Sequence, residues 1–440
     1  MTTPFNTPED VERAVAAAHA VAPAFAGSPA HVRATALDLI SRRIGERAEE
    51  FAQLINEESG KPLKWARLEV ARAVSTFRWA AEEARRFSGE LQRLDTDPAA
   101  EGRVALVRST ARGPVLGIAP FNFPLNLVAH KVAPAIAVGA PIILKPAPAT
   151  PRTAFLLGEI LAETDLPDGA WAVLHISNED TARLVEDPRL PVVSFTGSGP
   201  VGWGIRDRVP RKHVTLELGG NAAVVVCPDW TDVDWAAQRI ATFAMYQGGQ
   251  SCISVQRVYV HSDRFDEVAD AVVAQVRKLD PAEEVGPLIN LAAAERVEQW
   301  VDEAVAAGAT VLTGGTRDGA SYAPTVLTNV PEDAKVNAEE VFGPVVVLSS
   351  VDSTDEAFDR VNASRYGLQA GVFTTDVRVA FRAAKHLAVG GVIVGDVPSY
   401  RADQMPYGGV KESGIGREGL RSAMDDLTEP RVLVLTGIEL

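Results

Sequence analysis

The sequence predicts an α/β protein built on open, mainly parallel sheets, and three features point there. Short apolar runs at residues 141–145, 172–176, 192–196 and 224–227 alternate with helical stretches, the rhythm of parallel strands joined by helical crossovers. A second cycle follows, with strands expected near 255–261, 310–313, 345–350, 370–374 and 391–395. The texture before and after these cycles differs: residues 7–90 read as helices, and residues from 103 onward turn β-rich.

Taken in order, "TPEDVERAVAAAHAVAPAF" opens a helix with Thr7 as N-cap, Pro8 in the first turn and two acids beside it. "HVRATALDLISRRIGERAEEFAQLINEESGKP" keeps apolar residues at three- and four-residue spacing and stops at Gly60 and Pro62. "RVALVRSTARGPVLGIAP" alternates apolar with basic or polar positions, as strands do, and "EPRVLVLTGIEL" closes the chain as another strand. With no repeat and no low-complexity linker, two interleaved α/β domains are expected.

Composition narrows the classes. The 440 residues are 46% hydrophobic and 23% charged, a globular balance. A net charge of −15, spread along the chain, argues against nucleic acid and acidic membrane surfaces as partners. Only Cys227 and Cys252 carry thiols, too few for a disulfide framework, so a reduced, cytoplasmic setting is expected. "MTTPFNTPED" has no signal-peptide pattern, and the longest apolar run, 132–144, is interrupted by Pro134 and Pro141 and falls short of the roughly 18 residues of a membrane span.

Several stretches could carry chemistry. In "VVSFTGSGPVGWG" a strand runs into Gly197, Ser198 and Gly202 and then a helix, a turn whose backbone can approach a diphosphate. Glu217 follows at the spacing of a ribose-binding acid, yet it sits in the apolar "VTLELGG"; burial there would raise its pKa and suit a general base, while a strand-end acid in solvent is the plainer alternative. Cys252 lies in the polar loop "YQGGQSCISVQR", read as partly accessible and leading into a helix whose positive end would favour a thiolate; a spectator thiol is the other reading. Cys227, after three valines, reads as structural. Asn122 in "APFNFPLNL" either caps a turn or aims an amide at an oxyanion, and Lys145 ends a strand where a cofactor's ribose or phosphate would lie.

Together these blocks resemble the aldehyde dehydrogenase superfamily. "PFNFP", "LKPAPATP", "FTGSGPVG", "LELGG", "GGQSC", "EEVFGPV", "YGLQAGVFT" and "PYGGVKESGIGREG" occur in the family's order, from about Thr7 to the carboxyl end, and the motifs are most similar to those of lactaldehyde-oxidising members. The resemblance implies that fold: a Rossmann-like cofactor domain (1–97 and 115–219), an α/β catalytic domain (220–420), and bridging strands (98–114 and 421–440) that join subunits into a homodimer or homotetramer. It implies Cys252 as nucleophile, Asn122 with the Cys252 N–H as oxyanion hole, and Glu217 as the base for a hydrolytic water rather than a ribose ligand. For NAD or NADP it implies Ala119, Pro120, Phe121, Lys145, Pro148, Gly197, Ser198, Gly202, Leu218, Gly219, Glu340 and Phe342, with no metal. Around the aldehyde it implies Phe123, Asn126, His130, Tyr246, Ser251, Ile253 and Tyr407. Asn126 and His130, four residues apart on one helix face, favour a small polar, hydroxylated aldehyde, and Arg401 is added as an anion contact.

Three departures from the family pattern carry expectations. The chain opens almost at its first helix, so strands that brace the cofactor domain are expected to be missing. Pro148 replaces a ribose-binding glutamate and leaves NAD and NADP both admissible. Gly395 replaces an asparagine, which would loosen a loop at the substrate mouth. Competing activities are a coenzyme A-acylating dehydrogenase, a non-catalytic cofactor-binding member, and a thiol esterase.

Overall fold

The computed structural model describes residues 4–437. Helix Pro8–Ala26 starts at Thr7, whose hydroxyl accepts the Asp10 N–H while its own N–H donates to the Asp10 carboxylate. The long helical pattern that follows divides at Arg47 into Ala30–Glu46 and Ala48–Ser59; the second ends at Gly60 as expected, and Leu63–Arg86 continues after Pro62. These helices pack with Asn126–Val138 against one sheet, and Phe25, Phe51, Phe77 and Ile136 lie in the shared core.

That sheet has six strands in the order Gly414–Ile415, His213–Glu217, Val192–Thr196, Val115–Ile118, Ile142–Lys145, Trp171–Val173. All pairs but the first are parallel. The chain enters at Val115–Ile118, moves outward through Ile142–Lys145, then returns to the other side with Val192–Thr196. The strand order therefore reverses between two neighbouring strands, and their carboxyl ends diverge into a crevice, where open α/β sheets hold ligands.

A second sheet has seven strands, in the order Thr310–Thr313, Thr325–Thr328, Val345–Val351, Arg257–His261, Ala223–Val226, Gln369–Phe373, Gly391–Val394, and only its first pair is antiparallel. Its core lies under helices Val233–Met245 and Phe265–Val276. The sequence reading lacks the strand Thr325–Thr328, four residues with too little length to show a period.

A third sheet pairs Arg103–Ala111 with Thr428–Thr436 over nine positions. It also takes in Glu90–Arg93, which the sequence reading leaves within 1–97, and the segment read as a strand from 421 begins instead with helix Leu420–Asp426. Val432, Leu433 and Val434 are exposed on this sheet, as is Leu91. The bend at Gly395 is not loose: its N–H bonds Val372 O and its carbonyl accepts Trp235 Nε1–H at 3.2 Å, at a φ of 75° that glycine and asparagine both tolerate. Among the described residues no helix is long and apolar enough to cross a membrane.

Candidate active site

A cavity of about 760 Å³ opens at the crevice of the six-stranded sheet and runs to the second sheet. One end is walled by Lys145, Pro148 and Asn178, and the Gly197–Ser198 turn follows strand Val192–Thr196 and leads into helix Gly199–Arg208. Ala119, Pro120, Phe121 and Asn122, from the segment after Val115–Ile118, form another wall, and Leu218, Gly219, Glu340 and Phe342 a further one. Glu217 and Cys252 line the same cavity.

Gly202 does not line it. A Cβ there would stand 2.4 Å from Leu218 Cδ2 and 3.2 Å from the Phe195 ring, so this glycine lets the helix lie close on the strands beneath. The glycines after Glu217 have a related reason. A Cβ on Gly219 would meet Glu340 Oε2 at 2.4 Å, and one on Gly220 would meet Cys252 O at 2.2 Å. The chain passes between the Glu340 carboxylate and the Cys252 backbone carbonyl only because neither residue has a side chain.

The cysteine loop differs from its sequence reading. Residues 246–251 are buried, so the polar loop is packed, while Cys252 itself is half-buried and partly accessible as read. The helix lies before the loop, at Val233–Met245; after Cys252 the chain runs as coil into Arg257–His261, so no helix amino terminus of its own segment faces the sulfur. Cys252 Sγ lies 3.0 Å from Tyr407 Oη. Burial pushes the thiol up to about 12, and the Glu340 and Glu217 charges add to that against the opposing Tyr407 bond and Arg401 charge.

Glu217 ends its strand and is 3% exposed, so the reading of a solvated strand-end acid does not hold. Neither of its oxygens has a hydrogen-bond partner among the described residues. Burial first, then repulsion from Glu418, raises its pKa well above the usual carboxylate range. Glu418 goes the other way, down to about 2, because Lys131 and Arg401 face it at 3.5 and 3.0 Å. Asn122 Nδ2 donates to Gln250 O at 3.0 Å.

The residues named for the aldehyde are placed behind this wall rather than on the cavity lining. Asn126 and His130 share a face of helix Asn126–Val138, 1% and 2% exposed. His130 Nε2 lies 3.2 Å from Asp403 Oδ1, and burial lowers the imidazole's pKa against the pull of that carboxylate. Tyr246 stacks edge-on with Trp65 and Phe243, Ser251 and Ile253 flank the cysteine, and Phe123 lies under the Lys61 ammonium. Arg401 lies 3.8 Å from the centre of the Tyr407 ring and bonds Glu418, while its buried Nε has no partner. Arg72 likewise leaves a buried Nε unbonded and holds Asp403 at 2.8 Å.

Sequence reading missed Lys61, Glu69, Arg72, Lys131, Asp403 and Glu418. A signal existed for two of them: Glu69 interrupts the apolar stripe Ala66–Val70–Ala73–Phe77, and Lys131 lies inside "NLVAHKVAPAIAV", a helix buried on all sides. A charge in such a position needs a partner.

The large cavity suits a dinucleotide. Lys145 is 3% exposed, its ammonium's only hydrogen bond among the described residues is to Asn178 Oδ1 at 3.4 Å, and burial pulls it down to about 8, so an anionic ligand would satisfy it. The turn before helix Gly199–Arg208 offers amide donors at a positive dipole end, and the rings of Phe121 and Phe342 meet edge-on at 5.9 Å beside Glu340.

Fold and cavity define an α/β dehydrogenase with a cysteine at the end of its cofactor cleft. The chain belongs to the aldehyde dehydrogenase family, whose model matches residues 1–433. It is 44% identical over 396 residues to the 3-sulfolactaldehyde dehydrogenase of Priestia megaterium, covering 88% of this chain and 83% of that one. Aldehyde dehydrogenase 21 of Physcomitrella patens, solved with its reaction product succinate, is 47% identical with a TM-score of 0.97, covering 99% of this chain and 92% of the other. The glyceraldehyde-3-phosphate dehydrogenase of Methanocaldococcus jannaschii, solved with NADP, is 33% identical with a TM-score of 0.93 over 99% and 96% of the chains. The protein is an NAD(P)-dependent oxidoreductase acting on aldehydes.

Glu340 makes a testable mark on stability. Burial pushes its carboxyl up to about 7 although Gly220 N–H donates to it at 2.9 Å. The folded state therefore holds a proton that the unfolded state loses, so the contribution of this carboxyl to stability is full below about pH 4.5 and is lost as pH rises through about 7. A shift of this size corresponds at full extent to about 3–4 kcal/mol. Glu340→Gln is expected to unfold at a higher denaturant midpoint than the parent at pH 8, and at the same midpoint near pH 4.5. Equal midpoints at pH 8 would show that the carboxyl is not so strained.

Proposed function

We propose that the protein oxidises a small polar aldehyde, carrying a negative group at its far end, to the carboxylic acid by covalent catalysis at Cys252. The observation that carries the reading is the convergence of Cys252, Asn122 and Glu217 on one cavity, with Arg401 behind the tyrosine that touches the sulfur. The Cys252 thiol adds to the aldehyde carbon as the carbonyl π bond breaks, its proton passing to the carbonyl oxygen, and a thiohemiacetal forms. The Asn122 amide uses one hydrogen on Gln250 O and keeps the second for the developing oxyanion, beside the Cys252 N–H. A nicotinamide held in the cleft would supply the hydride acceptor, and loss of that hydride from carbon and of the hydroxyl proton to solvent would leave the adduct as a thioester. Lys145 and the Gly197–Ser198 turn would hold the cofactor's adenosine and diphosphate, and Glu340 the other ribose. Glu217, with both oxygens unbonded, takes a proton from the water that releases the acid, and its raised pKa suits that task.

The far end of the substrate follows from Arg401 and Arg72. Each is a guanidinium with an unbonded buried Nε, and a buried donor without an acceptor is costly to maintain. A carboxylate or sulfonate reaching either one would give its Nε an acceptor. The named relatives support this, since one acts on a sulfonated aldehyde and another was solved with a dicarboxylate product. A panel of neutral and acidic aldehydes, with dinucleotide reduction followed by absorbance, tests the reading. Acidic aldehydes are expected to lead in kcat/KM, and Arg401→Leu should cut that lead about 10- to 100-fold. Neutral aldehydes turned over as well as their acidic counterparts would remove the anion from the substrate.

A further inference from the structure

We propose that the buried ion pair Lys61–Glu69 is a positioning device that aims the Asn122 amide, an assignment that rests on Asn122 as the oxyanion donor. Lys61 lies in the turn between helices Ala48–Ser59 and Leu63–Arg86, and Glu69 two turns into the second helix. Their side chains are 3% and 0% exposed. The Lys61 ammonium donates to the Glu69 carboxylate, and to the backbone carbonyl of Asn122 at 2.7 Å, and lies 4.2 Å over the Phe123 ring. The second Glu69 oxygen accepts the N–H groups of Leu125 and Asn126 at 2.8 and 3.1 Å. These amides open helix Asn126–Val138, which has no side-chain cap at its N-cap residue.

One ion pair thus grips both ends of residues 122–126: the carbonyl at the front and the helix amides at the back. The orientation of the 122–123 peptide decides where the Asn122 side chain leaves the backbone, and that side chain reaches across to Gln250 O beside the cysteine. Stability alone does not account for the arrangement. Buried ion pairs give little net stabilisation, and apolar replacements of similar volume are often neutral or better. A rigid hold on a short loop is what the pair provides and an apolar pair would not.

The test is a double-mutant cycle on the full-length protein. Lys61→Met/Glu69→Gln removes both charges together and leaves no uncompensated carboxylate. It is expected to lower kcat about 10- to 100-fold with KM and dinucleotide affinity nearly unchanged. In the Asn122→Ala background the same change should lower kcat no further than about two-fold, because a device acting through Asn122 has nothing left to aim. Parental kcat in the folded double variant, or the full loss repeated on Asn122→Ala, would overturn the proposal. Parental kcat in Asn122→Ala itself would instead overturn the oxyanion assignment, and the strap with it. Lys61→Arg is the second variant should the double one fail to fold. It keeps the charge but moves the donor, and its expected kcat loss of about three-fold or more must also vanish on Asn122→Ala; unchanged kcat in Lys61→Arg would count against the strap.

Discussion

Replacing Cys252 with serine is expected to lower kcat/KM for aldehyde oxidation by about 10³-fold or more while dinucleotide affinity stays at the parental value. The substitution keeps volume and shape, so the cavity wall and the Tyr407 contact at 3.0 Å survive. What is lost is a polarisable sulfur that adds to carbonyls far better than a hydroxyl. Cys227→Ser is the control: that thiol is buried behind the Ala223–Val226 strand, where burial pushes it up to about 11, and it faces no part of the cavity. Dinucleotide reduction by absorbance and a fluorescence titration of cofactor binding read the two effects separately. Oxidation surviving in Cys252→Ser would remove this sulfur from the chemistry.

Glu217→Gln should separate the two halves of the reaction. The first turnover needs no water, so a burst of reduced dinucleotide close to one equivalent per site is expected. The steady rate should then fall about 10²- to 10⁴-fold, the usual contribution of a general base. The pH profile carries the sign. Because burial and Glu418 raise the Glu217 pKa, the carboxylate needed for deacylation is depleted at low pH, and the steady rate of the parent climbs as pH rises through that value. Glutamine cannot titrate, so this limb should be missing from the variant. A parental steady rate in Glu217→Gln would exclude the residue as base, and accumulation of a thioester seen by intact mass would support it. With coenzyme A present, the parent should still release free acid.

Much of this was legible in one dimension because it is local. The alternation of apolar runs and helices marks crossovers, since a parallel strand needs a connection long enough to return. The turn after Val192–Thr196 shows because glycine is required where a helix starts against a strand. The two glycines after Glu217 show for a stronger reason: any side chain there would strike Glu340 or Cys252. Blocks of this kind carry their physical constraint within a few residues, and eight of them in order specified the family.

Tertiary structure alone decided the electrostatics. The loop "YQGGQSC" is polar by composition, yet neighbouring chain buries it, and the expected thiolate field became a thiol pushed up to about 12. Arg72, His130, Arg401, Asp403 and Glu418 come from four separate stretches and meet only when the sheet and helices close over them. Periodicity records which side of an element faces inward. It does not record which charge from a distant element waits there, and in a low-dielectric interior that neighbour sets the protonation state of every buried acid, base and thiol.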